Sequence, residues 1–497
     1  MNGKDSRRRW WLMRALAIAL SLSPLVVLEF ALRWFEEPDV TNAIDREPLM
    51  DLSQLRPLFE LNADGTRWEI PESRYNFFRP DSFDAVKREN AQRIFVLGGS
   101  TVQGRPYAIE TAFSTWLRLR LEANQPDIAF EVVNCGGISY ASYRVDRILD
   151  EALLHQPDAI VIYTGHNEFL EDREYAEVRS MSAPRRLMAR TASKLATVRW
   201  IQRTFSEPTA FSPSRMSDEV DALLDHSGGL EKYWRDDAWR SDVEEHFDQT
   251  LRRMVQRAQS AEVPVVVCIP ASDLVQTPPF KVTPPHDLGE QKKEQLTQQW
   301  NRANNIDSSV SDRLAAARQC LEIDPSHAGA SFVAGRLLFD GGDIRQAIPL
   351  LVAAKDHDVC PLRATSPIME TVRKVATEMQ IPCIDTPSLL DTRDGQGVRR
   401  PDGIPDPSFF VDHLHPSVAG HQSIASAIAN ELTDLEWAQP IDDSSESRYQ
   451  QIANKHLAGL GEDYYLRGKQ RLEGLRRWAS GRAGQIDDPT DIQTDTE

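Results

Sequence analysis

The sequence predicts a three-layer α/β/α sandwich around a parallel sheet, preceded by a transmembrane helix and interrupted by a helical insertion. Three observations carry that expectation. Short apolar runs recur, and the first three, around Phe95, Val132 and Val161, stop at glycines or a Thr-Gly turn. Stretches of helical spacing separate them, and strands alternating with helices imply a parallel sheet covered on both faces. Finally, one apolar segment near the N-terminus carries basic residues on its leading side.

That segment comes first. Lys4, Arg7, Arg8, Arg9 and Arg14 precede a mainly apolar stretch from Ala15 to Leu32. Trp10, Trp11 and Trp34 stand at its ends, where amphipathic rings favour the membrane interface. A spanning helix needs about 20 mostly apolar residues, which the stretch reaches if Glu29 is tolerated near the outer end. The positive-inside rule then leaves residue 1 in the cytoplasm and the bulk of the chain outside. A cleaved signal peptide is the rival, but Ala15-Leu16-Ala17 and Ala17-Ile18-Ala19 lie inside the apolar run rather than after it. An uncleaved signal anchor over 1–38 is therefore expected.

Residues 39–90 are poorly periodic, with a turn signal at Asn62-Ala63-Asp64-Gly65, and read as a lead-in. Arg93–Leu97 is the first buried strand and ends at Gly98-Gly99. A helix over Thr111–Asn124 follows, then a strand over Phe130–Asn134 ending at Gly136-Gly137. Next come a helix over Tyr143–His155 and a strand over Ala159–Tyr163. Residues 172–240, broken at Pro208 and Pro213, read as helical cover or a lid. The alternation resumes with a helix over Asp242–Ser260, a strand over Val263–Ile269, a helix over Ser366–Met379 and a strand over Ile381–Asp385. A turn and the final helix fill Asp412–Leu432.

Residues 295–360 break the pattern. Leu314–Leu321 runs into Ile323-Asp324-Pro325, and Ala328–Phe339 and Ile344–Lys355 are helical patterns split by Gly341-Gly342-Asp343. Gly335, Ala347 and Ala354 fall at small-residue positions, and Leu338 and Leu351 at larger ones, so the stretch resembles one tetratricopeptide repeat. An ordinary helical hairpin gives a similar pattern. The tail, 436–497, holds an amphipathic helix over Ser447–Ser480 and an acidic end, Asp487–Glu497, of a kind expected to stay disordered.

Composition excludes more than it selects. A chain of 497 residues with 41% apolar content can bury a sizeable core and exceeds one ordinary domain. A formal net charge of −18, with no basic run beyond the N-terminus, excludes a general nucleic-acid binder. The five cysteines form no disulfide framework: Cys135, Cys268 and Cys383 lie in strand-like runs, while Cys320 and Cys360 could pair in an oxidising compartment. No CxxC or HExxH pattern is present, and neither a metal nor a cofactor is expected.

The chemistry sits at strand ends. In a doubly wound sheet, functional groups gather beyond the carboxyl ends of the strands. Ser100, the Asn134–Tyr140 turn and Asn167 all follow buried strands directly. A serine hydroxyl needs a base to become a nucleophile; a histidine supplies one near neutral pH, and a carboxylate orients it. Asp412-His413-Leu414-His415-Pro416 offers both, just before a helix. Alone, each motif has a plain reading: Gly-Gly-Ser-Thr as a common turn, Asp412 as a helix cap.

Together these segments resemble the SGNH (GDSL-like) hydrolase family, whose blocks occur here in family order. They are Gly98-Gly99-Ser100-Thr101, Asn134-Cys135-Gly136-Gly137-Ile138-Ser139-Tyr140, Gly165-His166-Asn167-Glu168 and Asp412-His413-Leu414-His415-Pro416. The resemblance covers about 93–170, 260–275 and 380–432. It implies a flavodoxin-like sandwich with Ser100 as nucleophile, His415 as base and Asp412 as its orienting acid. It also implies an oxyanion hole from the Ser100 N–H, a block-two N–H at Gly137 or Ser139, and the Asn167 side chain. Three departures stand out. Gly99 replaces a frequent Asp, Glu168 replaces Asp, and the block-two glycine of many members aligns with Ser139.

The implied organisation is an anchor over 1–38, a hydrolase domain over 39–294 and 361–435, an insertion over 295–360 and a C-terminal extension over 436–497. The implied activity is hydrolysis of a small-molecule or carbohydrate ester at the cell envelope. The alternatives are an O-acetyltransferase using the same triad, or a non-catalytic platform whose insertion docks a protein partner.

Overall fold

The computed structural model describes residues 50–51, 56–171, 214–215, 219–391, 403–435, 438–439 and 442–480. The expected anchor, most of the cover over 172–240 and the acidic end lie outside them. No helix among the described residues is long and apolar enough to cross a membrane. The chain divides into two units. In the smaller, 1–54 with 173–216, the strands Met50–Asp51 and Ser214–Arg215 pair in parallel. The larger, 55–172 with 217–497, carries everything that follows.

Its core is a five-stranded sheet: β1 (Ala91–Gly98), β2 (Ala129–Gly136), β3 (Ala159–Tyr163), β4 (Val265–Cys268) and β5 (Cys383–Ile384). The strands are all parallel and run in the order β2-β1-β3-β4-β5, the flavodoxin-like arrangement. Successive side chains point to opposite faces. Phe95, Leu97, Ile160, Ile162, Val265 and Val267 enter one apolar cluster. Ile94, Val96, Val161, Tyr163, Val266 and Cys268 enter the other. Burying each such side chain contributes roughly 1.5–3 kcal/mol, so a sheet covered on both sides is the stable outcome of runs apolar at every position.

Helices supply the covers. On the first face lie α3 (Ser142–Leu153), α4 (Asp237–Ser260) and α9 (Ser366–Met379). On the second lie α2 (Phe113–Asn124), α10 (Val418–Asp434) and α11 (Asp443–Gly459). The short α1 (Ser100–Gln103) follows β1 directly. The insertion comprises α5 (Glu290–Asn304), α6 (Val310–Ile323), α7 (Ala328–Asp340) and α8 (Ile344–Asp356), each packed on the next. A Cβ on Gly335 would lie 2.9 Å from Leu351 Cγ, so the glycine is what lets α7 approach α8. Arg235 ties the insertion to the sandwich through both oxygens of Asp324, at 2.7 and 3.1 Å.

Three expectations need correction. The 39–90 lead-in contains an antiparallel sheet of Glu60–Leu61, Arg67–Glu69 and Ser82–Asp84, whose strands are too short to show periodicity. The single tail helix is two, α11 and α12 (Glu462–Ala479), broken at Leu460-Gly461. Cys320 and Cys360 are both free thiols, Cys320 packed among the insertion helices and Cys360 in the main core.

Candidate active site

Strand register brings the motifs together. Gly98, the last residue of β1, pairs with Gly136 on β2 and with Tyr163 on β3. The three carboxyl ends are therefore level, and Ser100, the 137–140 turn and Asn167 leave the sheet at one height. Gly98 permits this closeness, since a Cβ there would lie 2.0 Å from Tyr163 O.

Ser100 is the first residue of α1, so its backbone N–H has no partner inside that helix. Asn134 holds α1 in place: its amide donates to Val102 O at 2.6 Å and to Ser114 Oγ at 2.8 Å.

The Asp412–His415 turn lies between a 3₁₀ turn at Pro407–Phe409 and α10, pinned by Val411 N–H to His415 O at 2.9 Å and Ser417 N–H to Phe409 O at 2.7 Å. Ser417, not Asp412, caps α10. That frees the Asp412 carboxylate for His415, whose Nδ1 lies 2.8 Å from Oδ2 and 3.0 Å from Oδ1. Asp412 Oδ1 also accepts the backbone N–H groups of Leu414 at 3.0 Å and His415 at 2.8 Å. Burial opposes its ionisation, but His415, His413 and these hydrogen bonds outweigh burial and hold the carboxyl below its ordinary range. An ionised Asp412 requires the hydrogen on His415 Nδ1. Nε2 is then the acceptor, and Ser100 Oγ donates to it at 2.7 Å. Residues 315 positions apart thus form a continuous relay.

The anion-binding candidates separate. Asn167 Nδ2 donates one hydrogen to Tyr140 O at 3.0 Å and keeps a second. The Gly137 N–H is committed to Gly98 O at 3.0 Å, which removes it from the candidate oxyanion donors. The Ser139 N–H has no acceptor among the described residues. Ser139 sits at φ 61°, the left-handed conformation that a glycine would adopt freely. Glu168 is buried and accepts both the N–H and the hydroxyl of Ser142, at 2.8 and 2.9 Å, fixing the start of α3.

The other histidines differ from His415. His413 packs edge-on against Phe280, and burial lowers its pKa to about 4. His166 accepts from Ala364 N–H through Nδ1 at 3.1 Å, which leaves Nε2 carrying the hydrogen, buried and without a partner among the described residues. His421 is buried within α10 and accepts from Phe113 N–H at 3.2 Å.

Sequence reasoning missed the surroundings: Arg79, Arg105 and Arg471 belong to no motif, and their segments meet at the loop after α1 only in the folded chain.

No protein-family profile matches the chain, and no curated protein matches it. Solved structures with likeness include a lipase/acylhydrolase from Enterococcus faecalis, 11% identical, covering 71% of this chain and 99% of its own, TM-score 0.31. A variant of an acetyl xylan esterase from Geobacillus stearothermophilus is 13% identical, with 70% and 96% coverage and TM-score 0.29. A GDSL-like lipase from Bacteroides thetaiotaomicron is 10% identical, with 69% and 89% coverage and TM-score 0.27. Likeness this slight has no bearing on the site, whose reading rests on its own geometry.

Proposed function

We propose that this chain is an SGNH-type serine esterase acting on O-acetyl esters of a cell-envelope or extracellular carbohydrate, through Ser100, His415 and Asp412. The observation that carries the proposal is the unbroken relay from Ser100 Oγ through both ring nitrogens of His415 to Asp412, at 2.7 and 2.8 Å. A positioned base turns a weak hydroxyl into a nucleophile, and the carboxylate stabilises the imidazolium that forms.

In this reading Ser100 Oγ attacks the ester carbonyl while His415 Nε2 takes its proton. The resulting oxyanion accepts from the Ser100 N–H, the Ser139 N–H and Asn167 Nδ2. Each such donor contributes about 3–4 kcal/mol to the transition state. His415 returns the proton to the departing alcohol, leaving an acyl group on Ser100. Water, deprotonated by His415, then releases the acid and restores the serine.

The one-sided basic flank before Ala15–Leu32 supports an outward-facing, membrane-anchored enzyme. The helices α5–α8 are read as structural cover, since a repeat groove binds best with several repeats stacked.

The test is a fluorophosphonate probe together with a panel of acetylated sugars and p-nitrophenyl esters, run with and without a polysaccharide acceptor. Wild type should be labelled and should release acetate, and Ser100→Ala should do neither. Equal labelling of the two proteins would remove Ser100 as nucleophile. Product acetylated on the acceptor instead of free acetate would make the enzyme an O-acetyltransferase.

A further inference from the structure

We propose that Arg79, Arg105 and Arg471 form an anion-binding subsite beside Ser100, and that the ester cleaved sits on an acidic saccharide. The proposal rests on the esterase reading above and narrows its substrate class.

Three remote segments that carry these residues meet at the loop that leaves the nucleophile helix. Arg105 lies two residues past α1, and its backbone N–H donates to Ser100 O at 3.1 Å. Arg471 projects from α12, and its Nη1 donates to Tyr107 O at 2.6 Å and Pro106 O at 3.4 Å. Helix α12 is seated on that loop. Tyr464 OH shares a 2.7 Å hydrogen bond with Thr111 Oγ1, the Tyr464 and Tyr107 rings stack at 5.9 Å, and a Cβ on Gly468 would lie 2.2 Å from the Tyr107 ring. Arg79 comes from the lead-in. Two residues before it, Phe77 O accepts from Gln103 Nε2, at the end of α1, at 2.6 Å.

Some buried arginines elsewhere are paired with acids, Arg93 with Glu131 at 2.7 Å and Arg144 with Glu171 at 2.6 Å, while buried Arg74 donates to Tyr140 OH and buried Arg363 to the carbonyls of Asp273 and Thr277. Among the described residues none of the three subsite arginines forms an ion pair or a hydrogen bond with a carboxylate, and Arg79 Nε is buried with no partner. The carboxylates within electrostatic reach are Glu110, Asp225 and Asp412. Asp412 is committed to His415, and Asp225 accepts from Trp478 Nε1 at 2.8 Å. Burial, and after it the neighbouring guanidinium, lowers the pKa of Arg79 and of Arg105. Half-buried like charges are unfavourable, and the one uncommitted carboxylate in reach, Glu110, whose Oε2 has no hydrogen-bond partner among the described residues, offsets a single guanidinium of the three. Guanidinium forks match the oxygens of carboxylate and sulfate. A substrate anion would complete the cluster and would bring its ester to Ser100.

Binding isolates this from catalysis. Ser100→Ala protein is titrated calorimetrically with an oligouronate, a sulfated oligosaccharide and a neutral xylo-oligosaccharide of equal length. One acidic oligomer should bind at least tenfold more tightly than the neutral one, and which does so separates carboxylate from sulfate. Adding Arg79→Gln should weaken that binding at least fivefold and flatten its salt dependence, while Arg79→Lys should restore part of it. Folding is checked by thermal melting, and Arg471→Gln gives an independent variant. Equal affinity for acidic and neutral oligomers, or unchanged binding in both Gln variants, would overturn the subsite. Failure of wild type to react with the fluorophosphonate would strike the esterase reading instead, whatever the arginines bind.

Discussion

Residue 99 and Asn167 compete for one volume: a Cβ built on Gly99 would lie 2.4 Å from the Asn167 amide nitrogen. The absent side chain at 99 therefore decides where Asn167 stands beside Ser100. A side chain at 99 would require Asn167 to move from this position. Gly99→Ala is expected to displace Asn167 and lower kcat roughly 10²-fold, the scale of one lost oxyanion donor. Asn167→Ala should show a similar loss, and the double variant should lose little more, because both changes remove one interaction. Steady-state kinetics on a p-nitrophenyl ester checks this; strictly additive losses would mean that Gly99 acts elsewhere.

Asp412→Asn should leave the fold intact and lower kcat by about 10⁴-fold, because an amide no longer enforces a hydrogen on His415 Nδ1. The neighbouring His413, whose Nδ1 lies 3.6 Å from Asp412 Oδ1, should not replace it as base. His413→Phe is accordingly expected to retain most of the activity. Comparing kcat for the two variants, with circular dichroism as the control, decides between the histidines. A larger loss in His413→Phe than in Asp412→Asn would reverse the assignment.

The contrast between Ser100 and Arg471 shows what the chain declares in its sequence. Ser100 and Asn167 lie in short motifs at the ends of apolar runs, and Asp412 and His415 in a D-x-x-H turn just before a helix, patterns visible in the residues themselves. The parallel sheet was legible for the same reason: runs such as Ala159–Tyr163 are apolar at every position. Arg79 and Arg471 lie in an irregular lead-in and on a mostly polar helix, and nothing local distinguishes them from solvated surface charges. Their meeting depends on how α12 seats on Tyr107, a tertiary fact without periodicity.

Ser139 is held at φ 61°, where a residue with a Cβ is strained. Ser139→Gly should relieve that strain and raise stability by about 1 kcal/mol, with kcat little changed, since the donor is the backbone N–H. Ser139→Val, with branching at Cβ, should lose stability and, as the turn shifts, activity. Thermal melts and kinetics on the pair test the idea. A Gly variant with full stability and no activity would assign the serine hydroxyl a role of its own.

His421 gives a prediction in pH. Burial first, and His415 second, lower its pKa to about 3 in the folded protein, whereas in the unfolded chain it titrates near its ordinary value of about 6.5. As pH falls below that value the unfolded state takes up the proton first. The contribution to stability is therefore complete above about pH 6.5 and declines towards pH 3, by up to roughly 1.4 kcal/mol per unit. Asp81 and Asp358, raised to about 6 by burial, act in the opposite sense between the usual carboxylate range and pH 6. They are present in wild type and variant alike and cancel in a comparison. His421→Gln keeps an acceptor for the Phe113 N–H and cannot titrate, so its melting temperature should fall less steeply than that of wild type between pH 6.5 and 4. Parallel curves over that interval would show that His421 is already protonated, or solvated, in the native state.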